Sequence, residues 1–402
     1  MTDGASAAAP AKAATSTDPR DPSGAARTVT VAVDGTALLG QLTGIGSFAR
    51  EIIGRLARAD AIDLRLFAMS WRGRDRLAAV ARALGVGDGG VRNRPLPARP
   101  MREVWKRADL PPVEWWTGPV DVVWGPNFVV PPARRAAELV TVHDLTPVHF
   151  PELCTRDTLD YPRLVRRAVD RGAWIQTDSE AVAEEVRDWL RIPADRVVAV
   201  PLGVTPVSSG LAAAGRQLAG AARYVLAVGT IEPRKDLPTL VRAFDQVASH
   251  DGSIHLVVAG PDGWGVDAFQ AAVDRAHHGD RIRRLGWVDD HDRADLLAGA
   301  RCLAFPSRYE GFGLPPLEAM AAGLPVVTSD LPVLVEVTGS AAIHVPVGDS
   351  EALADALVRL DGDEALRDAL IRLGRERAAG FTWDACADGI ADLLRTVAGR
   401  AS

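Results

Sequence analysis

Two acids and two glycines share one short string, Glu310-Gly311-Phe312-Gly313-Leu314-Pro315-Pro316-Leu317-Glu318. The apolar run before it, Cys302-Leu303-Ala304-Phe305, is predicted as a buried parallel strand ending at Pro306. Pro315 and Pro316 suit a first helical turn, and Gly323 ends that helix. A glycine loop feeding a helix N-terminus is an anion site. Its unpaired amides and the positive end of the helix dipole face the loop, and glycine lets a phosphate approach the backbone. Glu310 lies before this cradle. Glu318 lies behind it in the first helical turn, with seven residues (311–317) between the two acids. Such a pair can hold hydroxyl groups on both sides of a diphosphate. Taken singly, Glu318 also reads as a helix acid complementing the dipole, and Glu310 as a solvated loop acid.

A second constellation follows another apolar run. Tyr224-Val225-Leu226-Ala227-Val228-Gly229 is predicted as a strand, and Thr230-Ile231-Glu232-Pro233-Arg234-Lys235-Asp236 comes next. Arg234 and Lys235 suit a diphosphate leaving group, Arg as a bidentate fork and Lys as a point charge. A third feature is His143, at the end of the predicted strand Leu139–Val142. Ligands of doubly wound sheets collect at such strand ends. A lone His is as readily structural, and Asp144 beside it can cap the next turn. Gly44-Ile45-Gly46 reads as a mobile glycine loop before a helix from Ser47 to about Leu56. Gly44 through Ala49 also matches G-x-G-x-x-A, but about ten residues separate it from the first strand, Thr28–Val33. The next strand, Leu64–Met69, lacks a closing acid as well, so a nicotinamide cofactor is not expected.

The string from Glu310 to Glu318 resembles the E-x7-E signature of retaining glycosyltransferases of family 4, which have the GT-B fold. The resemblance covers about residues 28–395. It implies two Rossmann-like, doubly wound α/β domains facing a cleft. The second domain would bind a nucleotide-diphosphate sugar and the first a glycan or lipid-linked acceptor. It implies that Glu310 lies by the donor sugar and Glu318 by the nucleotide ribose. Gly229, Arg234, Lys235 and the amides of Gly311, Phe312, Gly313 and Leu314 would lie at the donor phosphates. It also implies that His143 contacts the donor sugar and that Gly44 and Gly46 lie at the cleft. The nucleotide base would sit near the end of the strand Ile282–Val288. Gly44-Ile45-Gly46, His143-Asp144-Leu145 and Glu232-Pro233-Arg234-Lys235 together resemble a subgroup of bacterial mannosyltransferases of surface polysaccharide assembly. Asp236 replaces the Asn common in that subgroup, and Ser47-Phe48 replaces its Arg or aromatic residue. GDP-mannose is the first expectation for the donor, with UDP- and dTDP-hexoses open. A GT-B epimerase or phosphorylase and a non-enzymatic sugar-nucleotide sensor are the alternatives.

The elements that position these residues alternate strand and helix, which predicts parallel α/β sheets. The 402 residues suit two domains. The expected division is a disordered tail at 1–27, a first domain at 28–205 and a linker at 206–222, where no periodicity shows. A second domain follows at 223–380, and an amphipathic helix at 381–402 crosses back onto the first. A net charge of −6 argues against nucleic-acid binding. Cys154, Cys302 and Cys386 are odd in number and widely spaced, which suits a reducing cytoplasm. No apolar run is long enough for a membrane span. The basic stretch 91–107 (Arg92, Arg94, Arg99, Arg102, Lys106, Arg107) reads as a solvated loop and helix, or as a peripheral dock for anionic lipid at the inner membrane face. Asp290-His291-Asp292 and Asp361-Gly362-Asp363 read as cap and turn chemistry, with Asp292 capping a helix. No metal and no cofactor is expected.

Overall fold

The computed structural model describes residues 27–40, 44–70, 73–92, 98–205 and 210–400. All of the expected tail but its last residue therefore lies outside the described residues. So do residues 206–209 of the expected linker, and Arg94 of the basic stretch.

The first domain holds β1 (Val29–Asp34), β2 (Ile62–Phe67), β3 (Val122–Gly125), β4 (Ala137–Val142), β5 (Trp174–Thr177) and β6 (Val197–Ala199). They form one parallel sheet in the order β2-β1-β3-β4-β5-β6. The second domain holds β7 (Arg223–Val228), β8 (Ile254–Ala259), β9 (Ile282–Gly286), β10 (Cys302–Phe305), β11 (Val326–Ser329) and β12 (Ala342–Val345). Its parallel sheet runs β12-β11-β10-β7-β8-β9. The central strands are short apolar runs buried on both faces, as parallel sheets require: every residue of β3, β10 and β11 is buried. The winding reverses between β1 and β3 in one sheet and between β7 and β10 in the other. A crevice opens at the carboxyl ends of the strands at each reversal. Two doubly wound domains facing a cleft make the GT-B fold.

The last helix, Trp383–Arg400, returns to the first domain. Trp383, Ile390 and Leu394 share a core with Phe48 and Ile52, and Arg55 Nε meets Asp384 at 2.6 Å. The crossing is tight at Gly203, where a Cβ would lie 2.2 Å from the Trp383 nitrogen.

Three local expectations are corrected. The stretch 206–222 is not all linker, because Ala212–Ala219 is a helix seated on the helix Asp290–Gly299. Its small residues allow that seat, since a Cβ on Gly215 would lie 1.9 Å from the Asp295 carbonyl oxygen. A face of Ala and Gly carries no hydrophobic periodicity, which is why the helix was not legible. The helix predicted from Ser47 already includes Gly44, so Gly44 and Gly46 belong to it rather than to a loop. Asp289, not Asp292, caps Asp290–Gly299, accepting the Asp292 N–H at 2.8 Å. Asp363 caps the next-to-last helix, Glu364–Ala379, as turn chemistry predicts.

Gly203→Ala should cost about 1–3 kcal/mol, because the added methyl must displace backbone. Gly399→Ala, in the returning helix with open space around it, should leave stability unchanged or slightly raised. Thermal melts of the two variants check this.

Candidate active site

β7 and β10 are neighbours, and both constellations of the second domain leave their carboxyl ends. After β7 the chain passes Gly229 (φ +138°) and enters a short turn, Pro233–Lys235. After β10 it reaches Glu310. The Glu310 carboxylate is buried between the two cations, with Oε2 2.7 Å from Arg234 Nη1 and Oε1 2.5 Å from Lys235 Nζ. Burial alone would raise the Glu310 pKa, but Arg234 and Lys235 outweigh it and hold the group at about 2. Burial and the adjacent Arg234 charge push Lys235 down, only partly offset by Glu310. Lys235 Nζ also lies 4.4 Å from the centre of the Phe305 ring. Arg234 is held from a second side by Glu232, whose Oε1 lies 2.6 Å from Nε. Glu232 was missed as a site residue, although it stands in the same string.

The loop then turns through Gly311, Phe312 and Gly313 into the helix Leu314–Ala321. Gly313 (φ +105°) precedes the helix without a side-chain cap; Pro315 and Pro316 carry no N–H and the Leu317 N–H meets the Gly313 carbonyl at 3.4 Å, so of the first-turn amides that of Leu314 is left for an anion. Gly311 also meets a constraint from the other domain. A Cβ there would sit 1.9 Å from the His143 carbonyl oxygen, so its smallness admits the other domain's backbone. The Phe312 side chain is buried edge-on against Phe381, with centroids 5.8 Å apart. Gly44 faces Leu314 across the cleft, 3.9 Å from a Cβ built on Gly44 to Leu314 Cδ1. Glu318 lies in the second helical turn, one turn later than expected. Its carboxylate meets Arg293 at 3.5 Å rather than joining Arg234 and Lys235. Burial pushes the Glu318 carboxyl upward, with Arg293 opposing.

His143 stands at the end of β4, and Asp178 at the end of β5. The last register pair of these strands is Val142 with Thr177, so the next residue on each falls side by side. The imidazole Nδ1 donates to Asp178 Oδ2 at 2.7 Å, and Nε2 donates to the Pro126 carbonyl at 2.9 Å. Two acceptors on two ring nitrogens describe an imidazolium. Burial pushes the His143 pKa down, but Asp178 wins and the net shift is upward. Asp178 was missed because its pairing depends on strand order.

The two domains meet through polar contacts close to Glu310. The Tyr309 hydroxyl donates to Glu185 at 2.7 Å and accepts the Leu145 N–H at 2.9 Å. Ser179 Oγ donates to the Gly311 carbonyl at 3.0 Å. The Glu336 carboxylate accepts the N–H groups of Glu180 and Ala181, each at 2.8 Å, at the start of the first domain's helix Glu180–Leu190.

The sequence and the fold are similar to those of known proteins. The family described as Glycosyl transferases group 1 matches residues 214–377. O-antigen chain mannosyltransferase B of Escherichia coli is 30% identical over 372 residues, covering 86% of this chain and 94% of that protein. The chain belongs to glycosyltransferase family 4. A second relative of this glycosyltransferase is D-inositol 3-phosphate glycosyltransferase of Saccharomonospora viridis, 33% identical over 300 residues, with 70% and 68% covered. The Anabaena protein HepE, solved with UDP and glucose, shares the fold at a TM-score of 0.69 and 16% identity, covering 91% of this chain and 99% of its own. WaaG, described as a glycosyltransferase involved in lipopolysaccharide biosynthesis, aligns at a TM-score of 0.66 and 18% identity, with 91% and 99% covered.

Among the described cations of the basic stretch, Arg99, Lys106 and Arg107 meet local acids. Arg99 pairs with Asp157 at 2.9 Å, and Lys106 is buried against Glu103 and Asp160. Among the described residues no helix is long and apolar enough to cross a membrane.

The raised His143 pKa fixes the sign of a pH effect. Its contribution to stability is full below the ordinary value of 6.5 and is lost as pH rises through the higher folded-state value. Thermal melts over about pH 6–9 should show this loss in the wild type and a flatter profile in Asp178→Asn.

Proposed function

We propose that this glycosyltransferase moves a hexosyl group, mannosyl in the first instance, from a nucleotide-diphosphate sugar to an acceptor hydroxyl with retention at the anomeric carbon. The observation that carries it is the Glu310 carboxylate held between Arg234 and Lys235, beside an uncapped helix N-terminus. The diphosphate would take the two cations and the free amides of the Gly313–Leu314 turn. Glu310, released toward the sugar, would accept its hydroxyls, and Glu318 would meet the ribose. The similarity to an O-antigen mannosyltransferase over most of both chains supports mannose as donor sugar and a surface glycan, lipid-linked during assembly, as acceptor.

Retention follows a front-face course. The bond from the anomeric carbon to the diphosphate oxygen breaks as the acceptor oxygen bonds on the same face. The acceptor proton passes to the departing diphosphate. Arg234, Lys235 and the amides of the Gly313–Leu314 turn stabilise charge that grows on that leaving group, which is where electrostatic catalysis acts. The His143 imidazolium, with both nitrogens engaged, stiffens the adjoining cleft wall and adds positive charge near the sugar. A cytoplasmic location suits nucleotide-sugar supply. A membrane dock through 91–107 finds less support, because Lys106 and Arg99 already hold acids.

Nucleotide release from GDP-mannose, UDP-hexoses and dTDP-hexoses, with and without lipid-linked acceptors, tests the reaction. Anomeric NMR of the product tests retention. Lys235→Ala should lower kcat by about 10²–10³-fold while weakening nucleotide binding far less. Equal losses in both would count against the leaving-group role. Transfer should persist in EDTA, since the cations of the protein perform the task a metal would; a chelator-sensitive rate would overturn that.

A further inference from the structure

A diphosphate that takes Arg234 and Lys235 must first displace Glu310, and Arg234 then loses the acid on its Nη1. A guanidinium on a long side chain, freed of that partner, would be able to follow it or turn. Three features of the Glu232–Lys235 turn bear on what holds it. First, Glu232 sits on a backbone pinned from both sides. The Ile231 N–H donates to the Pro261 carbonyl at 3.0 Å, and the Gly265 N–H donates to the Ile231 carbonyl at 3.0 Å. Gly265 lies so close that a Cβ there would come within 2.9 Å of the Glu232 carbonyl carbon. Pro233 follows with its fixed φ, and the Lys235 N–H closes on the Glu232 carbonyl at 3.0 Å. Second, the Glu232 side chain is only 10% exposed, and its Oε1 meets Arg234 Nε at 2.6 Å, whereas Glu310 meets Nη1 at 2.7 Å. The two acids therefore hold different nitrogens of one guanidinium, with Nη2 between them on its rim. Third, Glu310 bridges Arg234 and Lys235, and Glu232 stands outside that bridge at Nε. Burial opposes the Arg234 charge, but Glu310 and then Glu232 outweigh it and the net shift is upward.

We infer that Glu232 is a positioning residue, which keeps Arg234 Nε fixed while Glu310 gives up Nη1 and Lys235 to the diphosphate. The guanidinium then meets the leaving group in the orientation it already holds in the free protein. The inference rests on the glycosyl-transfer reading and adds to it which of two carboxylates leaves. Departure of Glu310 opens both cations at once; departure of Glu232 would open one and leave the bridge closed. Glu232 acts through Arg234, so its effect must vanish where Arg234 is absent. It is also an effect of reach rather than of charge, because an acceptor oxygen at Nε is what holds the guanidinium plane.

Steady-state nucleotide release, from whichever of GDP-mannose, UDP-glucose and dTDP-glucose the wild type turns over, tests the assignment. Glu232→Gln keeps an oxygen at the same reach and loses the charge. Glu232→Asp keeps the charge and withdraws it by one methylene. Glu232→Ala and Glu232→Asp should lower kcat about 10–100-fold with KM within about threefold, and Glu232→Gln should recover kcat to within about fivefold of the wild type. In an Arg234→Ala background, Glu232→Ala should lower kcat by no more than about twofold further. A crystal structure with GDP or UDP should show Glu232 still on Nε and Glu310 away from Nη1. Wild-type kcat in Glu232→Asp, a Gln variant as slow as the Ala variant, multiplying losses in the double variant, or a nucleotide complex in which Glu232 leaves and Glu310 stays would each overturn the assignment. The crystallographic arm uses the wild type and needs no turnover, so a variant that folds poorly does not blunt the test. Failure of the wild type to bind any nucleotide would instead strike the donor reading, so the two fail separately.

Discussion

A carboxylate wedged between two cations governs the second domain's crevice. Arg234 and Lys235 are adjacent in the chain, and Lys235 is buried, so each raises the cost of the other's charge. Neither is stable there unless an anion lies between them, and removing one partner of such a buried group typically costs about 3–5 kcal/mol. Glu310 is that anion in the free enzyme. With Glu232 also on Arg234, the two cations are matched by two carboxylates, so a diphosphate reaches them by displacing a carboxylate. On the proposed reading, donor binding is an exchange of anions rather than the burial of bare charge. The rest of the architecture serves that exchange: β7 and β10 are neighbours because the sheet winds in both directions from them, and the glycines keep both turns low enough for the side chains to converge.

The second anchor is His143 with Asp178, and it ties the first domain's wall to the same place. The imidazolium is held at both nitrogens, so its ring does not turn. The backbone of His143 in turn occupies the space that a side chain at position 311 would fill. Rigidity thus passes from a buried ion pair in one domain to the glycine loop of the other. The polar seam of Tyr309, Ser179 and Glu336 adds contacts that water can replace, which suits domains that open and close around a substrate.

Much of this was legible in the chain. Residue types and spacing around Glu310, Arg234 and Lys235 sufficed to expect an anion site, because a strand, a glycine turn and a helix start are local signals. The reason for Gly311 was not local: the backbone it admits lies far away in sequence. Asp178 was hidden for the same cause, since its partnership depends on β4 and β5 being neighbours in register. The helix Ala212–Ala219 escaped because small residues pack by closeness rather than by apolar bulk. Glu318 was placed a turn too early because the prolines do not open the helix; Leu314 does.

The returning helix Trp383–Arg400 gives the chain an order of assembly. Phe48 and Ile52, near the beginning, are covered by Ile390 and Leu394, near the end. During synthesis the first domain emerges with part of its apolar surface bare, and it stays bare until the helix Trp383–Arg400 has left the ribosome. The second domain can close around its own sheet in the meantime. The half that is made first is therefore the half that matures last, and it is the one exposed to chaperones and to self-association while it waits.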